Sequence, residues 1–195
     1  MITLVVDTET TGLPLKGVPA GDQRQARVMQ VGAVLLQDEK EVACLYTRLY
    51  PDQWPDVHPM ATAAHGLTVK DCEAVGVGQQ FVVNMLADLV DAADIVVAHN
   101  YKFDYQMLNI EFELQGKVFA PKKHACTMEL MTNVCGLTKA NGQPKWPTMQ
   151  EALSHCYLGE VISKAHDALG DVRAAAKVWL WLQQNKNVCT IGNYA

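Results

Sequence analysis

The sequence predicts an α/β protein, helices packed around a mixed sheet, and three observations carry that expectation. β-rich runs gather at the front of the chain. Apolar residues at helical spacing dominate behind them, interrupted by one short apolar strand. Of the 195 residues 49% are apolar, enough to fill one core without a second domain. Strands in front and helices behind fit a layered sandwich.

The first strand covers Thr3 to Val6, and two more follow at Val28 to Leu36 and Val42 to Leu49. A polar Gly- and Pro-containing loop separates the first pair, and "QDEK" reads as a hairpin turn between the second. In "QQFVVNMLADLVDAAD", Phe81, Met85, Leu86, Leu89 and Val90 fall on one helical face, and "DIVVA" then makes a short strand. Phe103, Met107, Ile110 and Leu114 repeat at helical spacing directly afterwards, with Asn100 placed to cap the start. "HACTMELM" holds a strand end and a short helix, and "TKANGQPKWP" is a loop. "TMQEALSHCY" forms a short helix and "DALGDVRAAAKVWLWLQQ" a long one despite Gly170. No repeat, low-complexity tract or linker marks a boundary, so residues 1–195 are expected to form a single domain.

Composition narrows the function classes. The formal net charge of −5 argues against coating long nucleic acid, which needs a basic footprint, but not against gripping one end. Six cysteines (44, 72, 126, 135, 156 and 189) show no CxxC and no zinc spacing, as expected of reduced core thiols in a cytoplasmic protein. Met1 to Val6 runs straight into Asp7 with no basic and apolar leader. No apolar run approaches the roughly 20 residues of a membrane span.

The chemistry begins at "VVDTETTGL". Alternate side chains of an extended segment share a face, so Asp7 and Glu9 project together with Thr8 turned away. Two like charges that close make sense if something positive sits between them. "IVVAHNYKFD" ends the second apolar strand with His99 and Asn100 and opens a helix bearing Asp104. "AHDALGDV" sets His166, Asp167 and Asp171 around the start of the last helix.

In order, these fragments resemble the three motifs of the DEDDh, or DnaQ-like, 3′-to-5′ exonucleases: DxETTGL at Asp7 to Leu13, HNxxFD at His99 to Asp104, and HxAxxD at His166 to Asp171. "QVGAV" at Gln30 to Val34 and "HGLT" at His65 to Thr68 also look like family intervals, so the resemblance spans roughly Leu4 to Leu182. It implies an RNase H-like fold, a mixed five-stranded sheet flanked by helices, as one exonuclease domain. It further implies that Asp7, Glu9, Asp104 and Asp171 hold two divalent cations, Mg2+ or Mn2+, about 4 Å apart. His166 would be the general base, an imidazole with an unperturbed pKa near about 6.5. Asp167 matches Asp171 at helical spacing and is its geometric rival; it is expected instead to be the N-cap, with His166 in the loop before it.

By the same resemblance Thr10, Thr11 and Gly12 would set amides and hydroxyls against the terminal nucleotide. Leu13 would wedge against a base, and His65 and Phe103 would wall the pocket. Phe103 reads equally well as core. Asn100 either touches substrate or pins the turn. His58, His99, His124 and His155 are expected to be structural or surface residues, and Trp179 to Trp181 helix packing.

The implied activity is release of nucleoside 5′-monophosphates from a single-stranded or frayed 3′ end, DNA slightly ahead of RNA. The expected partners are that end and a polymerase or other replication or repair protein, not a membrane. A binding module that has lost catalysis is the alternative from another class, and a nucleotide phosphatase a third; the intact acids and base count against the first, Leu13 and the TTG turn against the second. Residues 14–27 and 119–145 carry no readable role.

Overall fold

Residues 1–162 and 166–185 are described by the structure, a computed structural model. Five strands form one sheet: β1 (Ile2–Thr10), β2 (Val28–Gln37), β3 (Lys40–Arg48), β4 (Ile95–Ala98) and β5 (His124–Cys126). Its spatial order is β3-β2-β1-β4-β5; β1 runs antiparallel to β2 and parallel to β4. The mixed five-stranded sheet flanked by helices is therefore as expected. The Gln37 to Lys40 hairpin is as expected too, with Asp38 and Glu39 at φ 49° and 67°, the twist a tight turn requires.

Strand alternation divides the core in two. Leu4, Val6, Val31 and Val96 face α3 (Gln79–Ala92) and α4 (Tyr101–Leu114), where Val82, Leu86, Met107 and Phe112 close the layer. Val5, Val34 and Val97 face α7 (Ala168–Gln184), which contributes Val172, Ala175, Ala176 and Trp179. Short alanines let α7 lie close to the sheet. Trp179 is buried, and Trp181 packs among the residues between α7 and α6 (Met149–Cys156), so this tryptophan pair is helix packing.

Several local expectations need correcting. Strand β1 extends to Thr10, so Asp7 and Glu9 lie inside it and not beyond its end. On α3 the sheet takes Val82, Val83, Leu86 and Val90, leaving Phe81 and Met85 at 61% and 39% exposure. Two helices lack any apolar stripe strong enough to predict them, α1 (Pro59–His65) and α2 (Val69–Val75). Their signals were chemical: Pro59 in the first turn, and a capping box between Thr68 and Asp71. Asn100 occupies the N-cap of α4 with left-handed backbone (φ 68°), yet its side chain makes no capping bond. Of the described cysteines only Cys72 and Cys126 are buried, so the expectation of core thiols holds for two of the five, and Cys189 lies outside the described residues. Among the described residues α5 (Thr127–Cys135) completes the helices, and no helix is long and apolar enough to cross a membrane.

Candidate active site

The register of the sheet builds the site. Asp7 pairs with Gly32 and Glu9 with Gln30, so all four stand on the face that α7 covers. Thr8 turns to the opposite face and donates its hydroxyl to Asp104 Oδ1 at 2.9 Å, tying α4 to the centre of β1. From the far side α7 brings Asp171, whose Oδ2 accepts the His166 backbone N–H at 2.8 Å. His166 itself has φ 59° and an exposed side chain. Glu9, His166 and Asp171 each offer a ligand atom within 4.8 Å of the others.

The electrostatics show what this convergence costs. Burial holds the Asp7 carboxyl well above the ordinary range, and Asp104, Glu9, Asp171 and Asp167 push it further in that order. Glu9 is driven up to about 8 by burial, then by Asp171, Asp104 and Asp167. Asp104 is raised to about 7 by burial, against the Thr8 hydrogen bond that lowers it. Asp171 is raised too, by burial first, while the His166 N–H opposes. Four carboxyls crowded until they resist ionisation, all hard oxygen donors, are the donor set a divalent cation relieves.

Beside the acids opens a cleft of about 680 Å³. Thr10, Thr11, Gly12, Leu13, His65 and Phe103 all line it, as do His58, Met60, Lys16 and Arg24. Leu13 is 77% exposed at the mouth, whereas Phe103 is half-buried and joins both cleft and core. Asn100 is exposed and outside the cleft lining.

Much of the turn's polarity is turned inward. The Thr10 hydroxyl donates to the Gly12 carbonyl at 2.9 Å, and the Thr11 hydroxyl accepts the Arg27 N–H at 2.9 Å. His65 Nε2 donates to the Thr10 carbonyl at 3.0 Å while Nδ1 accepts the Leu67 N–H at 3.0 Å, which fixes a neutral ring. Burial lowers its proton affinity in the same sense. Behind the turn Arg27 is sealed against Glu111 at 2.9 Å, and Glu111 also accepts the Val28 N–H at 2.8 Å. That buried pair locks the cleft wall to α4.

The histidines without an expected role are engaged structurally. His99 lies between Thr127 Oγ1 and the Pro147 carbonyl, each at 3.0 Å, and burial drives its pKa down to about 4. His124 stacks on Tyr101, and His155 meets Trp181 edge-on. His58 caps α1 through Nδ1 and also lines the cleft.

Asp167 does stand at the N-cap of α7, but its side chain makes no capping bond and instead accepts the Tyr46 hydroxyl at 2.6 Å. Sequence reasoning missed Tyr46 and gave "QVGAV" no role. A Cβ on Gly32 would lie 2.3 Å from the Ala168 carbonyl oxygen, so only glycine lets α7 begin there. A glycine amid β-branched residues was the available signal.

A family model described as exonuclease (RNase T) matches residues 4–179. The chain belongs to the exonuclease family. Its mixed five-stranded sheet flanked by helices is an RNase H-like fold. A curated relative, the DNA polymerase III subunit epsilon of Treponema pallidum (strain Nichols), is 26% identical over 183 residues, 89% of this chain and 72% of that protein. Escherichia coli Exonuclease I, solved with a dA16 oligonucleotide, superposes with TM-score 0.78 at 16% identity over 96% of this chain and 42% of that one. Exonuclease I from Methylocaldum szegediense gives 0.70 at 17% identity over 95% and 41%. The chain thus spans under half the length of these solved structures.

Proposed function

We propose that this chain is a divalent-metal-dependent 3′-to-5′ exonuclease that removes nucleoside 5′-monophosphates from single-stranded or frayed DNA ends. The observation that carries the reading is the meeting of Glu9, His166 and Asp171 beside the half-buried Asp7 and the buried Asp104, along an apolar cleft. Mg2+ or Mn2+ held by Asp7, Glu9, Asp104 and Asp171 would supply Lewis acidity toward the scissile phosphate and the departing oxygen. The His166 imidazole takes the proton of the attacking water. The water oxygen bonds to phosphorus, the P–O3′ bond breaks, and the 3′ oxygen stays on the shortened strand.

Leu13, Phe103 and the His65 ring hold the terminal base by apolar contact, which reads no base identity. Backbone of Thr10 to Gly12 lies against its sugar, Gly12 allowing close approach. Asn100, exposed and outside the cleft lining, would touch only the part of the strand beyond the terminal nucleotide. The epsilon-subunit relative and the modest charge of this chain support recruitment by a polymerase or another replication or repair protein.

The test is direct. A 5′-labelled DNA oligomer with Mg2+ or Mn2+ shortens stepwise and releases 5′-monophosphates; a 3′-labelled one loses its label at once. An intact oligomer defeats the reading in favour of a binding module, and consumption of mononucleotides alone in favour of a phosphatase.

A further inference from the structure

The start of α7 is held to the sheet by a chain of three side-chain hydrogen bonds whose proton directions are all fixed. Ala168, the first helical residue, carries one of the N–H groups that a helix leaves without an internal partner. Gln30 Oε1 accepts it at 3.1 Å from β2, on the face that α7 covers. The Gln30 Nε2 must then donate, and does so to the Tyr46 oxygen at 3.1 Å. Tyr46 keeps its own proton for Asp167 Oδ1, at 2.6 Å. The cap that Asp167 does not provide comes from β2, and Asp167 is anchored to β3.

Gly32 lies under the same spot, paired in register with both Asp7 and Tyr46, and admits the Ala168 carbonyl where any side chain would collide. Residues 167 and 168 are therefore pinned by a hydroxyl, a carboxamide and direct contact with the sheet. The residue just before them is His166, in a left-handed conformation that non-glycine residues rarely adopt, its N–H tied to Asp171. Such a backbone persists only where its surroundings over-determine it. The two anchored ends are Asp167 and Asp171.

We propose that Gln30 and Tyr46 are positioning residues for His166, aiming its imidazole at Glu9 and Asp171 through Asp167 and Ala168. This rests on the reading of His166 as the general base. Neither residue touches the reacting atoms. Loss of the clamp leaves Asp7 and Glu9 on β1, Asp104 on α4 and the cleft in place, so it slows the chemical step without weakening substrate binding.

The experiment uses the full chain, a 5′-labelled single-stranded DNA oligomer and Mn2+, with the histidine ring proton signals followed by NMR in parallel. Tyr46→Phe removes one hydroxyl from a residue that is 40% exposed. It is expected to lower kcat on the order of 10- to 100-fold with KM little changed, the scale of a small misplacement of a reacting group. In a His166→Ala background the same change is expected to cost less than about 2-fold, since nothing is left to aim. Asp167→Asn keeps an acceptor for the Tyr46 hydroxyl and is expected to lose less than Asp167→Ala. The His166 ring signal, assigned by its loss in His166→Ala, is expected to shift and broaden in Tyr46→Phe while those of His124 and His155 stay put.

Equal loss of kcat in both backgrounds, a change confined to KM, or an unmoved His166 signal overturns the clamp. A His166 signal that moves in a protein that cuts no oligomer upholds the clamp and defeats the exonuclease reading instead.

Discussion

The two ends of the chain reach the site by opposite means. Strand β1 delivers Asp7 and Glu9 from the centre of the sheet, with β2 and β4 on its flanks and Thr8 bonded through to α4. Helix α7 delivers half-buried Asp171 from its first turn, and exposed His166 stands just before its N-cap, the helix start being held by long-range side-chain bonds to β2 and β3. One end is a rigid frame for its acids, because a central strand cannot shift without breaking two ladders. The other is a docked helix start whose aim depends on a few hydrogen bonds. Under the proposed function, a metal site draws on both ends, since Asp171 lies at the docked one, whereas proton transfer to and from solvent draws on the docked end alone.

Removing a ligand from the rigid end gives the largest effect. Asp7→Asn is expected to abolish oligomer shortening while raising the melting temperature of the metal-free protein, since one of the crowded charges is gone. A lower melting temperature with retained cleavage would break the distinction between the two ends. At the docked end His166→Ala is expected to cost about 10²- to 10⁴-fold in kcat, the usual worth of a general base, with the fold unchanged by circular dichroism.

Behind the frame, Glu111→Ala leaves Arg27 charged and sealed from water. Breaking such a pair from one side costs about 3–5 kcal/mol, to be read from denaturant unfolding. Cleavage per folded molecule should fall less than in Asp7→Asn, because the acids stay in place.

Titration sharpens the contrast further. Glu9 and Asp104 bind protons more tightly folded than unfolded, at about 8 and about 7. Between the ordinary carboxylate range and those values the folded state therefore holds more protons, and stability falls as pH rises through that window. Metal-free protein should melt lower at pH 8.5 than at pH 6, with Mn2+ restoring more stability at the higher pH. A metal-free melting temperature that rises with pH would show that the acids are not crowded in solution. The smallest effect belongs to the cleft mouth: Leu13→Ala should raise KM for DNA about 10-fold, the worth of one apolar contact, with kcat nearly unchanged.

How much was legible follows from the range of each interaction. Strand alternation placed Asp7 and Glu9 on one face and Thr8 on the other without reference to anything distant. Apolar periodicity found α3 and α4 but not the orientation of α3. Its apolar residues cover more than one face, and only docking chose the valine stripe over Phe81 and Met85. The short α1 and α2 bury almost nothing, so their caps were the only trace they left.

What the sequence determined by itself was the chemical inventory and its local phase: which acids, which histidine, and which side of a strand or helix each would occupy. Tertiary structure decided what those groups would meet. Asp167 exchanged its capping role for a hydroxyl 121 residues away, and Asp104 found Thr8 across 96. The reason is physical. Periodicity is set by backbone geometry within a few residues, whereas the partner of a polar atom is set by which distant surfaces the burial of the apolar core happens to press together.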